Sequence, residues 1–268
     1  MATATIGEIT IGYDDEGTGD TLVLVHGHPF DRSMWQPQVA HLSRAGWRVI
    51  APDLRGYGSS TVVPGKTTLD VFAADIAGLL DRLGVDRFVL GGLSMGGQIV
   101  LECHRLFAHR LRGLLLADTS APADGEATRG WRREMAERLL REGMGPYAEE
   151  VLYKMVSASA PPDVVTQVLA MMRGTAPEGA AAALRGRAER PDYVAMLAEV
   201  AVPALVVVGA EDAFTPVADA RVMSDTIPDA WLVVVEGAAH MPNLERSAEF
   251  NAALHDFLIR TRETAAGA

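Results

Sequence analysis

The chain has 268 residues, of which 49% are hydrophobic and 22% charged, as in ordinary globular proteins. This composition excludes a disordered or collagen-like chain, and the single cysteine, Cys103, excludes an intrachain disulfide. The formal net charge of −11 disfavours nucleic acid as a partner, because phosphate binding needs clustered cations.

The amino terminus, MATATIGEIT, has neither the basic nor the apolar segment of a secretory signal peptide. No apolar run approaches the ~18 residues that suggest a membrane span. We therefore expect a cytoplasmic protein without a membrane partner. The sequence leaves the formation of a homo-oligomer open.

Strand-like and helix-like segments alternate through the first part of the chain. Residues 8–13 alternate in polarity and indicate an edge strand. Short apolar runs rich in β-branched residues or leucine predict buried strands at 22–25, 48–51, 88–90 and 114–117. Helices are predicted between these runs at 34–45, 69–83 and 96–107.

The same alternation returns near the carboxyl terminus, with predicted strands at 204–208 and 231–235 on either side of a helix at 217–227. A last helix presents Phe250, Leu254, Phe257 and Leu258 on one face, and the chain is expected to fray after Arg262. Near-continuous apolar strands separated by helices predict an α/β fold. Its sheet would be mostly parallel, with helices on both faces.

Residues 121–192 interrupt this alternation and carry no strand signal. We interpret them as a helical cap inserted into a core made of residues 1–120 and 193–268. The helical segments of the cap are predicted at 131–141, 164–172 and 180–183. Trp131 is a predicted substrate contact, and it could form an apolar roof over the substrate with Met135, Met171 and Met172.

A turn between a predicted strand and a predicted helix, GLSMGG at 92–97, has the strongest chemical signal. So tight a turn strains its central residue, and small residues at 92 and 96 keep the backbones from colliding. The turn lifts the Ser94 hydroxyl above the sheet edge. There the positive end of the helix dipole favours a developing anion. Ser94 is therefore the predicted nucleophile.

A serine hydroxyl needs an adjacent base to become a nucleophile. Of the seven histidines, His240 follows a predicted strand on a loop, where parallel-sheet proteins build their sites. Asp212 follows the preceding strand, so its carboxylate could orient the His240 imidazole and stabilise its charge. Glu211 and Asp118 remain alternatives for this carboxylate.

The segment HGHPF at 26–30 directly follows the first buried strand. Acyl transfer needs two N–H donors at the developing oxyanion, and we expect the backbone amides of Met95 and His28 to supply them. The His28 imidazole is interpreted as pocket lining, and Phe30 as a substrate contact. No metal site is predicted at the two histidines, because no carboxylate or cysteine cluster accompanies them.

The order Ser94, Asp212, His240, with HGHPF first and GLSMGG at the turn, resembles the α/β-hydrolase superfamily. The resemblance covers roughly residues 8–260. It is nearest to esterases and lactonases of the 3-oxoadipate enol-lactonase group and to non-haem haloperoxidase-type perhydrolases. It implies the α/β-hydrolase fold, with 121–192 as the cap.

Two further segments resemble motifs of this superfamily, DLRGYGSS at 53–60 and AAHMPNLER at 238–246. Ala239 stands where glycine is usual in the second motif, a difference that could tilt the His240 loop. The resemblance implies chiefly structural roles for Asp53 and Arg55.

The resemblance also implies a serine hydrolase that cleaves a small-molecule ester or lactone through an acyl-enzyme and needs no cofactor. A perhydrolase, an acyltransferase or a carbon–carbon bond hydrolase would use the same residues. A non-catalytic small-molecule receptor is the alternative from a different class. The acidic net charge is a mild argument against an anionic substrate, which arginines in the cap could override.

Overall fold

The computed structural model describes residues 2–266, which form an eight-stranded sheet with helices on both faces. The strands are β1 Ala2–Ile6, β2 Ile9–Glu16, β3 Asp20–Val25, β4 Trp47–Pro52, β5 Phe88–Leu93, β6 Leu111–Ala117, β7 Ala204–Gly209 and β8 Ala230–Val235. Their order across the sheet differs from their order in the chain and is β1-β2-β4-β3-β5-β6-β7-β8. Strands β1 and β2 are antiparallel to their neighbours, and the remaining pairs are parallel.

The expected edge strand is β2, but β1 was not predicted and pairs outside it. A tight turn at Gly7, with φ of +57°, joins the two strands into a hairpin. The backbone there is left-handed, a conformation that glycine adopts without steric cost.

Eight of the eleven α-helices of the described chain were predicted, whereas those at 144–155, 194–197 and 242–245 were not. A 3-10 turn at Arg32–Trp35 precedes the first of them, which therefore begins later than expected. The last helix continues beyond Arg262, so the expected fraying is wrong up to residue 266, and residues 267 and 268 lie outside the described range. The helices are α1 Gln36–Arg44, α2 Leu69–Arg82, α3 Met95–Phe107, α4 Glu126–Glu142, α5 Met144–Met155, α6 Pro162–Gly174, α7 Pro177–Arg187, α8 Val194–Leu197, α9 Val217–Thr226, α10 Pro242–Glu245 and α11 Ser247–Ala266.

Alternate side chains of the central strands point to opposite faces of the sheet. Leu24 packs with residues of α1 and α11 on one face, whereas its neighbour Val25 packs with residues of α2, α3 and α9 on the other. This double burial explains why the central strands are apolar at nearly every position.

Cys103 is fully buried in the second of these cores, as a packing residue. In the part of the chain that the structure describes, no helix has the length and apolarity needed to cross a bilayer.

The helices α4 to α8 lie between β6 and β7; α4 to α7 fall within residues 121–192, the segment predicted to be the cap, whereas α8 lies just after it. Helix α5 was missed, although its buried residues have helical spacing that the sequence displays: Met144, Tyr147, Ala148, Val151, Leu152 and Met155. Two glycines let α7 approach the core closely. A Cβ at Gly179 would lie 2.0 Å from the Gly56 carbonyl oxygen, and one at Gly186 would lie 1.7 Å from the Thr67 carbonyl oxygen.

Asp53 and Arg55 tie loops together. The buried Asp53 carboxylate accepts hydrogen bonds from the backbone amides of Arg32 and Ser59 and forms an ion pair with the Arg32 side chain. Arg55 forms a two-pronged ion pair with Asp75 on α2. These contacts agree with the structural roles that the resemblance implies.

Candidate active site

Ser94 occupies the single residue between β5 and α3, with φ of +57° and ψ of −116°. A non-glycine residue in this region costs about 1–3 kcal/mol, so the surrounding structure must hold it there. Glycines permit the turn, because a Cβ at Gly92 would lie 2.3 Å from the Gly96 carbonyl carbon, and one at Gly96 would lie 2.2 Å from the Val25 carbonyl oxygen. The structure thus has the sharp strand-to-helix turn that the sequence predicted.

His240 and Asp212 meet at the carboxyl ends of β8 and β7. The Nδ1 of His240 lies 2.7 Å from the Asp212 Oδ2, and both side chains are buried. Asp212 also accepts hydrogen bonds from the Phe214 amide at 2.8 Å and from the Thr215 hydroxyl at 2.6 Å. An imidazole held in this way presents its Nε2 as a base.

Burial by itself raises the pKa of the Asp212 carboxyl, but His240 and the donors of Thr215 and Phe214 outweigh this effect and lower the pKa below its ordinary value. Asp212 is therefore ionised at neutral pH. The two alternative carboxylates for orienting His240 have other surroundings. Glu211 is exposed, whereas the Asp118 Oδ1 accepts a hydrogen bond from the Gly209 amide.

Asp118 is buried, and burial, followed by the charge of Asp212, raises its pKa well above its ordinary value and so favours its neutral form. Ligand atoms of Asp118, Asp212 and His240 lie within 4.8 Å of one another, close enough to hold a cation. The raised pKa of Asp118 and the direct hydrogen bond between the other two residues are poor properties for such a site.

The loop after β3 packs against the Ser94 turn. A Cβ at Gly27 would lie 2.9 Å from the Leu93 carbonyl oxygen and 3.2 Å from the Ser94 Cβ. Met95 begins α3, and the first amides of a helix have no partner within the helix. The structure therefore brings both segments of the predicted oxyanion hole to Ser94. The roles of the Met95 and His28 amides remain predictions.

The two histidines of this loop have different surroundings. His26 Nδ1 donates to the Gly27 carbonyl at 2.9 Å, and its Nε2 accepts from the Leu54 amide at 2.9 Å, so both nitrogens are occupied. His28 Nδ1 lies 2.8 Å from the Tyr57 hydroxyl, while its buried Nε2 has no hydrogen-bond partner within residues 2–266. Burial, followed by the charges of Arg187 and Arg132, lowers the pKa of His28 well below its ordinary value.

A cavity of about 300 Å³ joins the candidate site to the cap. Trp131 lines it, as predicted, and is 43% exposed. The cavity is lined by His28, Ser94, Gln98, Ser120, Asp124, Thr128, Trp131, Arg132, Tyr147, Met155, Leu184, Arg187, Phe214, Thr215 and His240. Ser94 and His240 thus open onto one space, although their side chains do not hydrogen-bond to each other among the described residues.

Two expectations about the lining need correction. Phe30, a predicted substrate contact, is not among the cavity-lining residues, because its side chain is fully buried in the apolar core. Three methionines of the expected roof, Met135, Met171 and Met172, pack among the cap helices instead. Met155 lines the cavity in their place.

A wider groove of about 370 Å³ lies between β8 and α11 and is lined by apolar side chains such as Trp231 and Phe257. It contains none of the predicted site residues. The larger volume of this groove therefore does not mark the candidate active site, which is identified by the side chains that line it.

Sequence reasoning missed the polar lining supplied by the cap, above all Arg132 and Arg187. Arg132 lies on a helix rich in charged residues and Arg187 at the end of an alanine-rich helix, and the sequence offers no sign that the two face inwards. Gln98 was also missed, although it lies one helical turn after Ser94 and that spacing could have indicated it.

Residues 20–247 match the alpha/beta hydrolase fold family. The chain belongs to this family. Membership agrees with the eight-stranded sheet of the described residues and with the Ser94 turn between β5 and α3. By its family and its relatives, this α/β hydrolase is a hydrolytic enzyme.

Three similar proteins illustrate the range of the family. A thermophilic esterase from Thermogutta terrifontis, solved with malate bound, has a TM-score of 0.93 and 42% identity, with 96% of each chain covered. The 3-oxoadipate enol-lactonase 2 of Acinetobacter baylyi is 28% identical, with 96% of each chain covered. A 2-hydroxy-6-oxononadienedioate/2-hydroxy-6-oxononatrienedioate hydrolase of Burkholderia vietnamiensis is 30% identical over 94% of this chain and 92% of the relative.

Proposed function

We propose that this α/β hydrolase is a serine hydrolase that cleaves a carboxylic ester or lactone of small to medium size. The observation that carries the proposal is a single cavity onto which two features open. One is the strained Ser94 turn, and the other is the His240 imidazole bound at 2.7 Å to an ionised Asp212. These are the parts that acyl transfer requires.

In the first half of the reaction, the Ser94 hydroxyl attacks the carbonyl carbon while the Nε2 of His240 accepts its proton. Asp212 holds the imidazole through Nδ1 and stabilises the cation that forms. The amides of Met95 and His28 donate to the oxyanion, each donor being worth about 2.7–4 kcal/mol in comparable sites. His240 then protonates the leaving alkoxide, which leaves an acyl group on Ser94.

In the second half, water attacks the acyl carbon while His240 accepts a proton from it. The second tetrahedral intermediate collapses, the acid departs and Ser94 recovers its proton. The His28 imidazole takes no part in these steps and lines the site in its neutral form, because burial and the charges of Arg187 and Arg132 lower its pKa.

The choice of ester or lactone rests on the size of the cavity and on the relatives. A volume of about 300 Å³ is at the lower end for small-molecule sites. Two of the similar proteins, an esterase and an enol-lactonase, are named for such reactions and match nearly the whole chain.

Hydrolysis of p-nitrophenyl esters from acetate to octanoate tests the proposal. We expect turnover that falls at least ~10³-fold in Ser94→Ala, with the protein still folded by circular dichroism. Ser120→Ala is the matched control, because Ser120 lines the same cavity and should be dispensable. Activity that survives Ser94→Ala, or that both variants lose equally, contradicts the assignment.

Carbon–carbon bond hydrolysis is the second candidate, supported by the Burkholderia vietnamiensis relative at 30% identity. The same residues would serve, with His240 protonating a carbon leaving group. Loss of absorbance of a vinylogous 1,5-diketone, without turnover of any ester, would favour this reaction over the ester hydrolase.

A further inference from the structure

The charges around the cavity are unbalanced. Its charged lining consists of the Arg132 and Arg187 guanidiniums and the Asp124 carboxylate, and His28 is neutral. Asp124 is already engaged, since it pairs with Arg132 and lies 3.2 Å from the Arg190 guanidinium behind the lining. One carboxylate therefore faces three guanidiniums.

Arg187 is the guanidinium without a carboxylate. It is 92% buried, being 8% exposed, and its Nε donates to the Gln98 Oε1 at 3.1 Å. Its terminal nitrogens have no acceptor within residues 2–266, and no acidic side chain described there lies within 4 Å of it. A buried guanidinium carries a large desolvation cost unless an anion pairs with it.

Electrostatics agree with this geometry. Burial lowers the pKa of the Arg187 guanidinium, and the neighbouring charges of Arg132 and Arg190 lower it further, while Asp124 only partly compensates. An anion beside Arg187 would therefore stabilise its charged form.

The fold holds Arg187 in this place. The preceding residue, Gly186, packs directly on the Thr67 backbone, and the Thr67 amide donates to the Ala182 carbonyl at 3.0 Å. Helix α7 is thereby tied to the core at the residue before the guanidinium. A group fixed in advance binds a ligand with less loss of entropy.

We propose that Arg187, with Arg132 beside it, is a carboxylate-binding subsite, and that the substrate is an ester or lactone bearing a free carboxylate. The inference rests on the proposed function for the reacting bond. It reverses the weak expectation from net charge, since the local charge of the cavity is positive while that of the whole chain is negative.

The distance from the nucleophile limits the length of this substrate. Gln98 follows Ser94 by four residues, and its backbone amide donates to the Ser94 carbonyl oxygen at 3.1 Å, so the two residues are one turn apart. Arg187 binds the far end of the Gln98 side chain. This spacing suits a short diacid half-ester such as a glutarate.

Matched esters test the proposal. Mono-p-nitrophenyl glutarate is compared with p-nitrophenyl pentanoate, which has the same acyl length without the charge. A second pair, 4-carboxyphenyl pentanoate and its methyl ester, places the carboxylate on the leaving group instead. We expect the wild type to prefer the charged member of one pair, which also identifies the side of the substrate that Arg187 binds.

In Arg187→Met we expect kcat/KM for that charged ester to fall about 10- to 100-fold, as for the loss of a hydrogen bond to a charged group. The ratio of kcat/KM for the charged ester to kcat/KM for its neutral partner should fall by a similar factor. Arg185→Met is the control, because Arg185 lies on the same helix but pairs with Glu137 at the surface. Equal hydrolysis of both members of both pairs, unaffected by Arg187→Met, overturns the subsite while Ser94-dependent turnover retains the proposed function.

Two further measurements apply where no ester is hydrolysed or where Arg187→Met does not fold. If no ester is hydrolysed, calorimetric binding of glutarate to the wild type, lost in Arg187→Met, supports the subsite, and the absence of wild-type binding overturns it. If Arg187→Met does not fold, inhibition of p-nitrophenyl pentanoate hydrolysis is measured on the wild type. Competition by glutarate but not by neutral glutaramide supports the subsite, and equal inhibition by both overturns it.

Discussion

Gly186→Ala tests the close contact between α7 and the core. A Cβ at this position would lie 1.7 Å from the Thr67 carbonyl oxygen and 2.3 Å from its carbonyl carbon. Both atoms belong to backbone, so a side-chain rotation cannot relieve the overlap. Helix α7 would have to move away, which weakens the hydrogen bond from the Thr67 amide to the Ala182 carbonyl.

The expected change in the free energy of unfolding of Gly186→Ala follows from two opposing effects. Forcing a methyl group into a packed contact costs about 1–3 kcal/mol. Alanine gains up to about 1 kcal/mol over glycine in a helix. We therefore expect the free energy of unfolding to fall by about 1–2 kcal/mol, and the melting temperature to fall by about 2–8 °C for a chain of this size.

Thermal unfolding followed by circular dichroism measures this change. Gly130→Ala is the control, because Gly130 also lies in a helix, α4, and nothing lies within 4 Å of an added Cβ. Gly130→Ala should leave the melting temperature unchanged or raise it. A melting temperature for Gly186→Ala equal to that of Gly130→Ala would refute the tight seating of α7.

Further predictions concern three buried groups. Asp212→Asn should lower kcat/KM about 10³–10⁴-fold. Asp118→Asn should retain most activity, because the raised pKa of Asp118 favours its neutral form and an asparagine keeps the acceptor for the Gly209 amide; the reverse result would make Asp118 the functional acid. Because the folded-state pKa of Asp212 is lowered, its stabilisation is present above its unfolded pKa of about 4 and is lost as pH falls through the folded pKa. The destabilisation by Asp212→Asn in urea unfolding should therefore be larger at about pH 7 than at about pH 3. Burial raises the pKa of Cys103 well above its ordinary value, so Ellman's reagent should label it at about pH 8 only after denaturation, and rapid labelling of the native protein would contradict its burial.

Local patterns predicted the positions of Ser94, Asp212 and His240 because each lies at the end of an apolar strand. The ends of parallel strands meet at one edge of the sheet, so their proximity follows from strand identity and direction. The close contact of Asp212 with His240 is a consequence of the pairing of β7 with β8. The catalytic roles of these residues remain predictions for the variants above.

Inward and outward positions in the cap were not predictable in the same way. Arg185 and Arg187 stand two residues apart on α7, yet one forms a surface ion pair and the other is buried beside Gln98. The sequence contains many arginines, and nothing local separates these two. Which face of α7 meets the cavity depends on where Gly179 and Gly186 contact the core.

The sequence by itself determined every strand except β1, most of the helices and the turn that carries Ser94, since these follow from short-range spacing of apolar and small residues. It did not determine the lining of the cavity. Phe30, beside the candidate site in the chain, is buried in the core, while Arg187, far from it in the chain, faces the cavity. Only the tertiary structure decided this difference, because the direction of a side chain depends on the packing of segments that are distant in sequence.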